Sequence, residues 1–142
     1  MLRGVCFVEN DARFFFLHLM KLIDVTMCEW YVDDVELNYI CFREGQYSGS
    51  EFKVVLENLS CLSFARIRQY PLNASIHTVD DYNDYIESEC ESLLLFYDGG
   101  YFEFYTKNSN LLQAIFKFGI ENRFSQLQYI DDTNVSRTWM HF

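Results

Sequence analysis

Residues 92–105 constrain the fold more than any other part of the chain. Ser92-Leu93-Leu94-Leu95-Phe96-Tyr97 is an apolar run of strand length, and Asp98-Gly99-Gly100 follows it with residues that tolerate the positive φ of a tight turn. The chain then returns with Tyr101, Glu103 and Tyr105 alternating with Phe102 and Phe104. That period of two puts successive side chains on opposite faces of a sheet. A β-hairpin with a buried first strand is the consequence, and the remaining elements must be arranged around it.

Residues 3–9 read as a strand that is apolar on both faces, hence central in its sheet. Asn10 or Asp11 then caps a helix over 12–25, whose Phe15, Phe16, Leu19, Leu22 and Ile23 recur at core-facing spacing. Residues 28–42 predict two short strands, with Trp30, Val32, Tyr39 and Cys41 alternating and Asp33-Asp34 turning between them. Ser48 and Glu51 have the spacing of a capping box, ahead of Phe52, Val55, Leu56 and Leu59 on one helical face. A strand over 61–70 places Leu62, Phe64 and Ile67 inward and Arg66 and Arg68 outward, and Pro71 ends it.

Thr78 and Asp81 form a second capping pair before a short helix carrying Tyr82, Tyr85 and Ile86. Asn108 or Ser109 caps a last helix with Leu111, Leu112, Ile115 and Phe116 on its apolar face, stopping at Gly119, and a strand over 126–130 completes the set. The order β-α-β-β-α-β-α-β-β-α-β predicts an α+β fold with a mixed or antiparallel sheet and helices packed mainly on one face. Two ferredoxin-like halves sharing a central strand are the alternative, although no sequence repeat accompanies it. With one proline, six glycines and no linker composition, residues 1–142 read as a single domain.

Several function classes are disfavoured on physical grounds. The apolar run at Phe14-Phe15-Phe16-Leu17 is broken by His18 and Lys21, too short to span a bilayer and unlike a signal peptide, so no membrane partner and a cytoplasmic location are expected. Five cysteines without a C-x-x-C pair argue for reduced, packed thiols rather than disulfides or a zinc ribbon. A formal net charge of -10 opposes direct binding of nucleic acid. Residues 69–106 contain no Lys or Arg, while Asp80, Asp81, Asp84, Glu87, Glu89, Glu91, Asp98 and Glu103 all fall there.

No residue set announces catalysis. Cys90 sits between Glu89 and Glu91, charges that suppress a thiolate, and His18, His77 and His141 lack ligand spacing. Asp80, Tyr82 and Asp84 imitate the start of a calcium loop without its glycine or closing glutamate, and no phosphate-cradling glycine motif occurs. No catalytic residue, metal site or cofactor is therefore expected. One polar constellation stands out after the last strand, namely Asp131, Asp132, Asn134 and Arg137. Its plainest reading is a capped turn with an Arg–Asp pair.

Four patterns together carry a family resemblance: YIDD-x-N-x-x-RT over 129–138, SECES over 88–92, Asp98, Tyr101, Tyr105 and Lys107 as D-x-x-Y-x-x-x-Y-x-K, and F-A-x-x-x-x-YP over 64–71. The chain resembles a small bacterial family known only as a domain of unknown function. That resemblance implies a bacterial or phage origin and carries no activity or catalytic residue with it.

Two functions are weighed on the residues. The first is a small acidic, non-enzymatic protein-binding module that presents Asp80, Asp81, Asp84, Glu87, Glu89 and Glu91 to a basic protein surface. Toxin-immunity proteins and phage anti-defence inhibitors of the anti-CRISPR kind, which mimic nucleic acid, work in this way. An acidic field would steer a cationic partner, and Tyr82, Tyr85 and Tyr101 would add contact area. The alternative is a small enzyme or ligand-binding domain that uses the polar site at Asp131, Asp132, Asn134 and Arg137.

Overall fold

The computed structural model describes residues 1–36, 43–59, 62–135 and 137–142. Its elements are β1 (Leu2–Val8), α1 (Ala12–Leu22), a 3-10 turn (Val25–Met27), β2 (Cys28–Glu36), β3 (Gly45–Tyr47), α2 (Gly49–Glu57), β4 (Phe64–Pro71), α3 (Tyr82–Glu87), β5 (Ser92–Tyr97), β6 (Tyr101–Thr106), α4 (Ser109–Glu121) and β7 (Ser125–Asp131). The strands form one sheet in the order β3-β2-β4-β5-β6-β1-β7. Every neighbouring pair is antiparallel, so the fold is α+β.

Ferredoxin-like halves are not what the strand order gives. The first half would keep β1 beside β2, β3 and β4, but β5 and β6 separate them. Two interleaved units appear instead: β3 and β4, joined through α2, flank β2, while β6 and β7, joined through α4, flank β1. The β5–β6 hairpin pairs Tyr97 with Tyr101. Asp98 and Gly99 take φ of 52° and 70°, the two left-handed positions that a type I′ turn requires.

Local chemistry accounts for most boundaries. Asp11 accepts from the Phe14 N–H and starts α1, and Ser48 with Glu51 forms the expected reciprocal capping box on α2. For α3 the pair is Asp81 with Asp84 rather than Thr78 with Asp81, because Asp81 is the N-cap and Asp84 stands at the third helical position. Helix α1 ends at Leu22, short of residue 25, because Ile23 is extended. Asp33-Asp34 does not turn the chain: β2 runs through it with a register shift between Asp33 and Glu36, and Asp34 (φ 51°) absorbs the extra length as a bulge. Tyr39 and Cys41 lie outside the described residues, as does Cys61 at the start of the strand expected over 61–70.

Gly119 does not stop α4. The helix continues to Glu121, and a Cβ at Gly119 would come within 2.9 Å of the Leu127 methyls, so glycine there permits close packing on β7. The left-handed stop is Arg123 (φ 56°), with Phe124 N–H donating to Gly119 O and Arg123 N–H to Ile120 O. These are the two bonds of a Schellman cap.

The sheet is covered on both faces. Helices α1, α2 and α4 pack on one, over a core that includes Val5, Phe7, Phe15, Phe16, Phe102 and Phe104. Phe7 stacks on Phe102 and on Phe124 at 4.8 Å between centroids, and pairs of this kind add about 0.5–1.5 kcal/mol to what burial supplies. The other face carries a second layer built from 72–91, including α3, and from the C-terminal tail, over Tyr70, Leu93, Leu95, Tyr105 and Ile130. Helices thus lie mainly on one face. Arg66 and Arg68 point away from the helices as expected, yet the second layer buries them to 5% and 3% exposure.

The cap at Arg123 yields a prediction. A non-glycine residue in the left-handed region costs about 1–2 kcal/mol. Arg123→Gly is therefore expected to raise the urea midpoint by about 1 kcal/mol of stability at unchanged m-value, whereas a lower midpoint would show that the Arg123 side chain itself supports the helix end.

Candidate functional site

The register lines up polar groups beneath the second layer. One row across the sheet reads Asp33, Arg66, Leu95, Glu103, Cys6 and Gln128. Two charge pairs sit in it. Arg66 Nε donates to Asp33 Oδ1 at 2.7 Å and Nη2 to Asp33 Oδ2 at 2.6 Å, while Nη1 donates to the Val79 and Met140 carbonyls at 2.6 and 3.1 Å. These bonds position the tail. The strand-adjacent Arg68 lies over the Tyr31 ring at 4.6 Å and donates to Tyr70 Oη and His77 O.

The tail then delivers Arg137 to the second pair. Its Nη2 donates to Glu103 Oε2 at 2.9 Å and its Nε to both Glu103 oxygens at 3.1 and 3.2 Å, and Tyr105 Oη donates to Glu103 Oε1 at 2.6 Å. Beside this pair opens a cleft of about 240 Å³ bounded by Cys6, Tyr97, Tyr101, Glu103, Gln128 and Arg137. The Tyr97 and Tyr101 rings stack at 5.4 Å, and Tyr101 remains 40% exposed.

Burial sets the electrostatics of the cleft. Burial pushes the Tyr97 phenol up to about 12, with the Glu103 carboxylate acting in the same direction. Burial and Glu103 push the Tyr105 phenol up as well, and burial raises the Cys6 thiol. Burial alone would lower the Arg137 guanidinium, but hydrogen bonds to Glu103 and its charge outweigh that and raise it. Near neutral pH the cleft therefore offers protonated phenols, a protonated thiol and a closed ion pair.

The four residues of the expected C-terminal site divide. Asn134 and Arg137 line the cleft. Asp131 instead closes a turn, its Oδ1 accepting from Thr133 N, Thr133 Oγ1 and Asn134 N, and these bonds hold its carboxyl below the usual range. Asn134 Oδ1 accepts from the Asp131 N–H, and its Nδ2 donates to Tyr129 O. Asp132 pairs with Arg3 at 2.7 Å and with the N-terminal ammonium at 3.3 Å. The Arg–Asp pair expected within this turn is thus replaced by Arg137–Glu103 and Arg3–Asp132.

The acidic set also divides. Asp81 and Asp84 are engaged in the α3 capping box, and Glu89 accepts from the Ser75 N–H at 2.7 Å. Asp80, Glu87, Glu89 and Glu91 are exposed. Tyr85 is 1% exposed and belongs to the core, and Tyr82 packs under the Arg3 guanidinium at 4.0 Å. Burial pushes the Cys90 thiol up to about 11. His18 stacks on Phe118, far along the chain from His77 and His141. Among the described residues no group of three or more His, Cys, Asp or Glu could hold a metal ion, and no helix is long and apolar enough to cross a membrane.

Sequence reasoning missed Glu103 as a site residue by counting it with the surface acids. The signal was present: a carboxylate between Phe102 and Phe104, in a strand paired with an apolar one, has to find a buried partner.

A family described as protein of unknown function (DUF2691) matches residues 2–141, and the chain belongs to that family. It is 26% identical over 153 residues to the uncharacterized protein YncE of Bacillus subtilis (strain 168), with 97% of each chain covered. No solved structure matches it.

The Glu103–Arg137 pair can be tested by unfolding. Removing one partner of a largely buried pair leaves the other uncompensated, at a cost of about 2–4 kcal/mol for so sheltered a site. Glu103→Gln and Arg137→Met should each lose that much, and the double variant should lose less than the sum. Additive losses would show that the two side chains act independently.

Proposed function

We propose that this member of the DUF2691 family is a non-enzymatic binding protein that takes an uncharged, planar ligand into the Glu103–Arg137 cleft. The observation that carries the reading is the closed ion pair at the cleft wall. A charged ligand would have to break that pair, whereas a neutral one can use what surrounds it. The stacked Tyr97 and Tyr101 rings suit a flat molecule, and the Gln126 and Gln128 side chains in the lining offer amide donors and acceptors. About 240 Å³ is below the roughly 300–1,000 Å³ of sites for drug-sized ligands. The fit is to a single-ring heteroaromatic amide or a nucleobase.

The test is a nuclear magnetic resonance titration with uracil and nicotinamide, using nicotinate as the charged control. Saturable shifts at Tyr101 and Gln128 with the neutral compounds, weakened about tenfold in Tyr101→Ala and Gln128→Ala, are expected. Both positions are exposed, so the fold should survive. Equal binding of nicotinate, or shifts unaffected by either substitution, would remove the cleft from consideration.

A second reading keeps the acidic surface as a docking site for a basic protein. The observation favouring it is that Asp80, Glu87 and Glu89 stay exposed within a stretch of chain that lacks Lys and Arg. An immunity protein or an inhibitor that mimics nucleic acid would have this character. Reversing Asp81 and Asp84 would destroy the α3 cap, so the informative variant is Glu87→Lys with Asp80→Lys. Capture of a basic host protein that is lost in this variant and at raised salt is expected under this reading; a partner retained by the variant would exclude the acidic surface.

A further inference from the structure

We propose that the Asn134 side chain closes the outer edge of the sheet and so keeps a second copy of this chain from pairing with β7. An edge strand carries a row of unpaired N–H and C=O groups, and a chain without a device to blunt it associates through them. β7 is such a strand, bordered on one side only, by β1. Its sequence, Ser-Gln-Leu-Gln-Tyr-Ile-Asp, contains no lysine or proline, the residues that commonly protect an edge.

Alternation fixes which atoms face outward. Glu9 N–H donates to Gly100 O, so Val5 and Phe7 likewise serve β6, while Gly4 and Cys6 serve β7. Their partners Ile130 and Gln128 therefore point their backbone groups inward, which leaves those of Tyr129 and Asp131 on the open side. Asn134 meets both: Oδ1 accepts from the Asp131 N–H at 2.9 Å, and Nδ2 donates to Tyr129 O at 2.8 Å. A carboxamide carries the same donor and acceptor as a peptide group, and here it fills the places of a neighbouring strand.

The turn after β7 holds that amide in place. Asp131 Oδ1 accepts from Thr133 N, Thr133 Oγ1 and Asn134 N, which fixes the backbone from which the Asn134 side chain reaches back. At the other end of β7, Gln126 (φ 54°) and the register shift between Cys6 and Val8 make a bulge that bends the strand. Both ends are thus blunted. The occupant held off is a second copy, because antiparallel pairing of identical strands is self-complementary about a twofold axis. Pairing about Gln128 sets Asp131, the single charged residue of β7, opposite Ser125, so no like charges meet.

Sedimentation velocity and hydrogen exchange test this in about 0.3 M salt, where the net charge of -10 is screened over roughly 6 Å. The native chain is expected to stay monomeric up to about 0.5 mM. Its Asp131 amide should exchange at least about tenfold more slowly than the Tyr129 amide, since Asn134 accepts from the first alone. Asn134→Ala is expected to dimerise over the same range, with its Tyr129 amide slowed at least about tenfold as concentration rises. An Asn134→Ala protein that stays monomeric, a native chain that dimerises as readily, or dimers whose Tyr129 amide exchanges as fast as before would each overturn the proposal. So would native Asp131 and Tyr129 amides that exchange alike, a comparison that stands even where Asn134→Ala fails to fold.

Discussion

The guanidinium of Arg66 joins β4 to three other parts of the chain at once, through both oxygens of Asp33 on β2, the Val79 carbonyl and the Met140 carbonyl. The side chain is only 6% exposed, so its charge has left water and depends on these partners. Such a pair is weak evidence for net stability, since well-packed apolar groups could replace it, but breaking one side of it costs about 3–5 kcal/mol. What it supplies is position. With Met140 held to Arg66 and its N–H donating to Asp80 O at 2.8 Å, the tail lies where Trp139 bridges to Asp81 and Arg137 reaches Glu103.

The two faces of the sheet therefore divide the labour. On the helix side, stacked phenylalanines and the apolar stripes of α1, α2 and α4 supply non-directional burial, which tolerates small shifts. On the other side the contacts are directional, and each depends on a particular atom: Arg66 on Asp33, Arg137 on Glu103, Tyr105 Oη on Glu103 Oε1. The ion pairs on that side are satisfied, and burial beside Glu103 holds the Tyr97 and Tyr105 phenols protonated.

The sequence disclosed local rules better than long-range ones. The hairpin at Asp98-Gly99, the Ser48–Glu51 box and the stripes of α1 and α4 were legible because their causes lie within a few residues. Asp33-Asp34 misled, since the same residues that make turns also accommodate a bulge, and only the partner strand decides between them. Gly119 misled because a glycine that admits Leu127 looks the same in sequence as one that ends a helix. Arg66 and Arg68 follow the outward alternation of a strand, and nothing local reveals that a second layer will cover them. Arg137 and Glu103 are 34 residues apart, a pairing set by strand order and tail path rather than by any motif.

Hydrogen exchange in native Arg66→Met protein tests this account most directly. If Arg66 anchors the second layer, the Met140 and Tyr85 amides, which donate to Asp80 O and Asp81 O, should exchange about a hundredfold faster, while Leu94 in β5 and Leu19 in α1 keep their protection. Unchanged protection at Met140, or an equal loss at all four amides, would contradict it, because the tail would then be held by something else or the sheet and its second layer would open as one unit.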